Sequence, residues 1–551
     1  MLNSWTISGS IILLLAFALY LLFFRSDYNR QRFPVILLVL AISTYLILAF
    51  SFHWFIVDDV YISLRYARNL AEGYGLVFNT DKSNVVEGYS NFLWVIMESV
   101  LFLFRMKTDE ILKVISAVGV LFGAACIVLI YKITHLLTAN KRTAIIAALF
   151  LCAVPEFAFW AIGGLETSMY IFWLLAGIYR YLIEKRNTRL HIGSMICLVM
   201  ASLTRPEGLF FALVFILWEV INGLVFNRNI ESSRRLRIRQ TISAVATFGL
   251  LYSIYFLWRY DYYGHFFPNT FYAKKISNPE EVLHRIRQSS VFFVRMFPFF
   301  ALACIGYAQI RSTPAREKIM VMLLMFVLMG FSFAARNEWM PGHRYELPFV
   351  PLLMVFFAAG INHILSFRLT PSDSGIPKPL LRFSVLFFLI LFQAHPFIEL
   401  GKKGNKLSRQ LNRAHVPFGK WLKEHANPGA SYASWDMGAI PYYSELPHII
   451  DINSEGLLNV QTTQGGYDVG KLLSGNPSFL VLPPNTSYTR PREILDFYTH
   501  PKLLSDYEFL FCISFIEEYV LNVYIHKDVR LHDLARKEGL RIADESRQML
   551  D

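Results

Sequence analysis

The 551-residue sequence predicts a polytopic α-helical membrane protein of about twelve spans, followed by a C-terminal soluble α/β domain. Three observations predict this class. Apolar runs of helical length recur from the N-terminus to about residue 398. Only 17% of residues are charged and 54% are hydrophobic, whereas water-soluble domains carry about 25% charged residues. Beyond residue 398 the composition shifts to charge, Pro and Gly turns and short β-rich runs. The five cysteines and the 16% aromatic content also exclude a disulfide scaffold and a disordered chain.

The expected spans lie near 9–24, 34–53, 111–131, 143–162, 165–183, 190–204, 208–226, 241–259, 290–310, 318–335, 347–365 and 381–397. The first lacks a basic n-region and a small-residue cleavage site, so it is read as a span and not as a signal peptide. Phe92–Phe104 is apolar but short. If it does not cross, the loops 25–33, 132–143, 180–190, 226–240, 311–318 and 366–382 fall on one side and carry 21 Arg and Lys against five Asp and Glu. That excess marks a cytoplasmic face. The N-terminus, the loop 54–110 and the C-terminal region are then extracytoplasmic, and the net charge of +12 calls for no nucleic acid partner.

Residues 1–398 are thus expected to form the membrane domain and residues 399–551 the soluble one. The latter contains β-rich runs such as Phe479–Leu482 and Tyr519–Ile525 and a helical patch at 404–425.

The outward loops hold the residues suited to chemistry. Loop 54–110 opens with Asp58-Asp59. Read as a helix, Val60, Leu64, Ala67 and Ala71 share one face, and Asp58, Arg65, Asn69 and Glu72 lie toward another, which predicts a helix lying flat at the membrane surface. Further on come Glu87-Gly88-Tyr89-Ser90-Asn91, Gly164-Leu165-Glu166-Thr167, Arg205-Pro206-Glu207 and Pro268-Asn269-Thr270-Phe271-Tyr272-Ala273-Lys274-Lys275. The last is Met340-Pro341-Gly342-His343-Arg344-Tyr345. Each has a plainer reading: adjacent acids favour a helix start, Arg205-Pro-Glu207 makes a turn with a local ion pair, and Lys274-Lys275 is a solvated pair. Their coincidence on one side argues against the plainer readings, since the inward loops contain little beyond Lys and Arg.

Such residues suit a reaction between a lipid-linked substrate and a polar acceptor. A carboxylate takes the proton of an attacking hydroxyl, and cationic or N–H partners stabilise the growing charge of a departing phosphate. Asp58 or Asp59 supplies the first; Arg205, Lys274, Lys275, His343 and Arg344 are candidates for the second. Walker, dinucleotide-glycine and HExxH motifs are absent from the sequence; neither cofactor nor metal is expected.

Asp58-Asp59-Val-Tyr-Ile-Ser-Leu-Arg65 through Asn79, with Val86-Glu87-Gly88-Tyr89-Ser90-Asn91-Phe-Leu-Trp94, resembles polyprenyl-phosphate-sugar-dependent glycosyltransferases of the GT-C fold. The resemblance is closest to the bacterial branch that includes the terminal β-(1→2) arabinofuranosyltransferases of the cell wall. The other outward motifs resemble that group too, as does Asp436-Met-Gly438-Ala-Ile-Pro441-Tyr442-Tyr443-Ser. The resemblance covers about 50–365 and 418–460. It implies interfacial helices in the first large outer loop and a catalytic acid at that loop's start, matching Asp58 and Asp59. It further implies inverting displacement of polyprenyl phosphate by an acceptor hydroxyl.

Glu87, Glu166 and Glu207 are then expected to hold sugar hydroxyls or orient cations. Arg65, Tyr89, Asn91, Asn269, Tyr272 and Asp436 complete the expected sugar- and acceptor-binding set. The expected partners are a polyprenyl-phosphate-linked sugar, a cell-envelope glycan or glycolipid and membrane lipids, at a bacterial inner membrane. The chain is rich in Phe, Ile and Lys, unlike the alanine-rich arabinosyl enzymes, which leaves the sugar and acceptor open and admits a lipopolysaccharide. A transporter or flippase would instead need polar groups near the bilayer midplane. A non-catalytic assembly partner would work with both acids neutralised.

Overall fold

The structure is a computed structural model. It describes residues 4–24, 33–52, 55–81, 85–224, 231–273, 279–334, 338–366, 377–453, 458, 468–484, 491–516 and 519–547. The chain forms two compact units. One comprises Met1–Trp54, Lys113–Leu257 and Ile276–Lys403; the other comprises Phe55–Leu112, Trp258–Lys275 and Gly404–Asp551.

Each of the twelve apolar segments is mostly helical among the described residues, although several overrun their helix at one end and those at 143–162 and 381–397 are broken. Among the described residues, seven helices are long and apolar enough to cross a membrane: Phe33–Ser51, Thr108–Thr138, Arg235–Tyr263, Val282–Gln309, Ala315–Ala334, Leu347–Ser366 and a stretch within Pro379–His425. The pair Lys141–Cys152 and Pro155–Ile162, bent by 61°, makes an eighth if it is one broken span. Pro155 opens the second half, and its ring cannot continue the preceding helix. The twelve expected crossings are therefore not all met by length and composition. Ile192–Thr204 is short, and Thr167–Arg186 carries four charges in its last two turns.

The first unit is packed through apolar and small side chains. Gly306 and Gly360 let the helices Pro279–Gln309 and Val350–Ser366 touch backbone to backbone. A Cβ on Gly306 would come 1.8 Å from the Phe356 carbonyl oxygen, and one on Gly360 would come 1.9 Å from that of Leu302.

The second unit is built on a five-stranded sheet in the order β2-β1-β3-β5-β4. Its strands are β1 (Ser431–Ser434), β2 (His448–Asp451), β3 (Phe479–Leu482), β4 (Tyr507–Ile516) and β5 (Tyr519–His526). β1 pairs in parallel with β2 and β3, while β5 pairs antiparallel with β3 and β4. All four residues of β3 are buried, as a central strand covered on both faces requires. The patch 404–425 is helical but breaks at Ala414, between Phe397–Arg413 and His415–His425. Trp421 of the latter donates its indole N–H to the Ala535 carbonyl of the helix Asp533–Arg547 at 2.9 Å.

The same unit holds Asp59–Ala71 and, packed on it, Phe92–Leu103. At twelve residues the second is about 18 Å long, against a hydrocarbon core of about 30 Å. The expected helix forms over Asp59–Ala71, but the middle of its polar face does not meet water. Arg65 is 1% exposed and Asn69 2%. Arg65 donates to the carbonyls of Phe78, Pro441 and Leu446, and Asn69 to those of Val77 and Phe78. Backbone acceptors that would otherwise be buried without partners take up these side chains, so periodicity alone misplaces them.

Candidate functional site

Asp58 stands directly before the helix Asp59–Ala71, yet its side chain makes no capping hydrogen bond to that helix. It turns instead to the Asp436–Ala439 segment. Its Oδ1 accepts the Ala439 N–H at 2.9 Å and lies 3.3 Å from His415 Nδ1. Gly438 is required there, because a Cβ would come 2.1 Å from Asp58 Oδ2.

His415 opens its helix, is 1% exposed and stacks on Phe515 with ring centroids 4.2 Å apart. Its Nε2 lies 3.8 Å from Asp436 Oδ2. Tyr519, at the start of β5, donates its hydroxyl to Asp436 at 3.2 and 3.3 Å.

Burial, aided by the Asp58 charge, pushes the Asp436 carboxyl up to about 6 against the opposing pull of His415 and Tyr519. Burial works against charging His415, but the hydrogen bond and charge of Asp58, together with Asp436, outweigh it and raise the imidazole above its usual value. The result is an imidazole ring held between two acid side chains, both of which favour its charged form. Asp59, half-buried, adds a further negative charge felt at Asp436.

The other residues expected to bind sugar or acceptor in this unit are mostly committed to neighbours. Glu87 and Arg259 form a buried ion pair at 2.7 Å. Burial pushes the Glu87 carboxyl up to about 7 in spite of that pair. The Asn269 N–H donates to the Glu87 carbonyl at 3.1 Å. The Tyr89 hydroxyl lies 3.1 Å from that of Tyr263, and the Asn91 amide donates to Ser63 at 2.9 Å. Tyr272 is exposed. Lys274 and Lys275 lie outside the described residues.

In the helical unit the structure gathers Glu166, Arg205, Glu207, Glu338, Arg344 and Tyr345. Arg205, between Ile192–Thr204 and Glu207–Leu224, meets Glu166 at 2.8 Å and grips both oxygens of Glu207 at 3.1 and 3.3 Å. These bonds use three of the five N–H donors of a guanidinium. Arg344 pairs with Glu338 at 3.1 Å and lies over the rings of Trp160 and Tyr345. Arg205 lies over the same Tyr345 ring. The Arg344 Nε is buried and has no hydrogen-bond partner among the described residues, an arrangement suited to an incoming acceptor oxygen. His343 has φ of 49° and its ring lies 5.1 Å from Phe292. Burial, with Arg295, Arg285 and Lys403 around it, pulls His343 down to about 4. It therefore offers a neutral N–H and not a positive charge, one of the two kinds of partner expected for a departing phosphate.

Sequence reasoning found Asp58 and Asp436 but not His415 or Tyr519, which belong to no motif. It also gave no sign of Glu424, His425 and Glu538, whose ligand atoms lie within 4.8 Å of one another. None of the expected site residues belongs to that group.

One family matches part of the chain: a domain of unknown function (DUF8728), over residues 406–524. No curated protein matches. Solved structures match over most of the length. ArnT from Cupriavidus metallidurans bound to undecaprenyl phosphate aligns with a TM-score of 0.56 at 13% identity, covering 90% of this chain and 98% of that one. The Archaeoglobus fulgidus oligosaccharyltransferase tethered with an acceptor peptide aligns with a TM-score of 0.52 at 11% identity, covering 89% and 74%. AglB from the same organism, in complex with an inhibitory peptide and a dolichol-phosphate, gives 0.52 at 11%, covering 83% and 70%. The chain has the fold of these enzymes, the GT-C fold of a multi-pass helical membrane protein with a small C-terminal sheet domain.

Proposed function

We propose that this protein is an inverting membrane glycosyltransferase. It moves a sugar from a polyprenyl-phosphate donor to a cell-envelope glycan or glycolipid, with Asp58 as general base. The observation that carries this reading is the Asp58 carboxylate, fixed through one oxygen by the Ala439 N–H and by His415. These two contacts hold the carboxylate in one orientation, as a base for a hydroxyl must be held. The fold shared with ArnT, whose structure holds undecaprenyl phosphate, supports a lipid-phosphate donor.

In this reaction the acceptor hydroxyl oxygen attacks the anomeric carbon from the face opposite the phosphate. Its proton passes to Asp58. The carbon–oxygen bond to the phosphate breaks, and its electron pair leaves on the phosphate oxygen. Arg205 and Arg344 are the cations that take up that growing charge, and His343 adds a neutral N–H. Lys274 and Lys275 are further candidates. Asp59 positions the acceptor. Glu87, Glu166 and Glu207 hold sugar hydroxyls or orient the arginines.

Arabinofuranose is the first sugar to try, on the resemblance of the 58–94 segment; other pentoses and hexoses follow. The excess of 21 basic over five acidic residues in six alternate loops supports a bacterial inner membrane orientation with this chemistry on the extracytoplasmic face.

The test is transfer by the purified chain from polyprenyl-phosphate sugars to an acceptor glycan. Asp58→Asn should lower the turnover by about 100-fold or more, and Asp59→Asn by much less. Full transfer by both variants would remove the proposed base.

A further inference from the structure

The helix Thr167–Arg186 has Glu166 at its start and Lys185 near its end, about 28 Å apart at 1.5 Å per residue. At the Lys185 end the helical unit encloses a cavity of about 280 Å³, which has no part in the chemistry above. We propose that this cavity binds a phosphate group, carried either by an anionic lipid or by a free phosphate ester.

Charge is the first argument. Three cations from three different helices line the cavity: Lys185, Arg237 of Glu231–Tyr263 and Arg316 of Ala315–Ala334. One acid, Glu317, lines it with them. Guanidinium groups suit the oxygens of a phosphate, and two of the three cations in this wall are arginines. Basic pockets between helix ends are a recurring way of holding lipid headgroups.

The second argument is that the wall is built and not merely solvated. Lys185 meets both oxygens of Glu219, at 3.1 and 3.3 Å. An ammonium has three N–H donors, so one remains for the cavity. Glu219 also accepts the Tyr181 hydroxyl and lies 3.4 Å from the Nε2 of His191, which is fully buried. The other ring nitrogen of His191 lies 3.6 Å from Glu184, and Glu184 accepts the Ser194 hydroxyl at 2.7 Å. The Lys185 side chain is therefore fixed from behind by a buried network spanning three helices.

The third argument is an unmet polar group. Asn222 lines the cavity, is 5% exposed, and its Oδ1 has no hydrogen-bond partner among the described residues. That oxygen only accepts, so what satisfies it is a hydroxyl of the ester arm or a water, and not the phosphate oxygens. The volume sits at the lower edge of the roughly 300–1,000 Å³ of small-molecule sites. It suits a phosphate with a short ester arm better than a nucleotide sugar.

The experiment follows the melting temperature of the full chain in nanodiscs. Phosphatidylcholine discs are compared with discs containing phosphatidylglycerol, and phosphatidylcholine discs are separately titrated with glycerol phosphate. Stabilisation by phosphatidylglycerol alone assigns the phosphate to a lipid; stabilisation by glycerol phosphate assigns it to a soluble ester. In either case Arg237→Gln combined with Arg316→Gln should weaken the effect by about tenfold or more, and Glu317→Gln should strengthen it. If the double variant does not fold, Asn222→Asp adds a negative charge to the same wall and should weaken binding instead. No stabilisation by either phosphate, or an unchanged response in the folded variants, overturns the proposal.

Discussion

Asp58 and Asp436 approach one imidazole from its two nitrogens: His415 Nδ1 is 3.3 Å from Asp58 and Nε2 is 3.8 Å from Asp436. The Asp58 charge and the ring are both felt at Asp436, whose raised carboxyl is the basis of the first prediction.

Asp436 has a carboxyl raised from 3.8 to about 6. The folded state therefore keeps a proton that the unfolded state has released. Stability falls as pH rises from about 4 to about 6, by at most about 3 kcal/mol. Asp436→Asn removes this titration. The melting-temperature difference between wild type and variant should move against the wild type across that window, and a pH-independent difference would contradict it.

Gly438→Ala inserts a methyl where Asp58 Oδ2 sits, at 2.1 Å. Either Asp58 or the 436–439 turn must move. The expected stability loss is about 1–3 kcal/mol, measured by denaturation. In the transfer assay, turnover should drop with little change in the KM for the donor.

The buried pair Glu87–Arg259 should respond unequally to its two deletions. Arg259→Met leaves a carboxyl that can escape by protonating, since burial has already raised it to about 7. Glu87→Gln leaves a guanidinium that cannot lose its charge. Removing one partner of a buried pair costs about 3–5 kcal/mol, and Glu87→Gln should lie at the upper end with Arg259→Met below it. Equal losses in thermal melts at pH 6 would refute this.

Arg205→Lys keeps the charge but loses the forked grip on Glu207 and the separate bond to Glu166. The proposed phosphate role predicts slower transfer, recovered only partly at saturating donor. Unchanged kinetics in a folded variant would leave Arg205 as a structural tie alone.

The sequence displayed what depends on local pattern. The twelve apolar segments are mostly helical among the described residues, Phe479–Leu482 is a strand with the predicted bounds, and the second strand ends one residue beyond Ile525. What it hid depends on distant partners. Arg65 and Asn69 occupy the polar side of their helix by periodicity, but the acceptors that bury them include carbonyls more than 370 residues away. His415 lies 357 positions from Asp58, and Tyr519 lies 83 from Asp436. No spacing rule joins such residues, because the sheet and the turn at Gly438 bring them together. His343 shows a different gap: its residue type left open a cation or a neutral N–H, and burial together with three neighbouring cations favours the neutral form.

The distance along the chain between Asp58 and His415 also has a consequence during biosynthesis. The acid leaves the ribosome early, but the groups that orient it are made more than 350 residues later, and Tyr519 about a hundred residues after those. A nascent chain can therefore insert its first helices while its carboxylate is still unaimed, and the contacts that aim it form only after the sheet domain has been made.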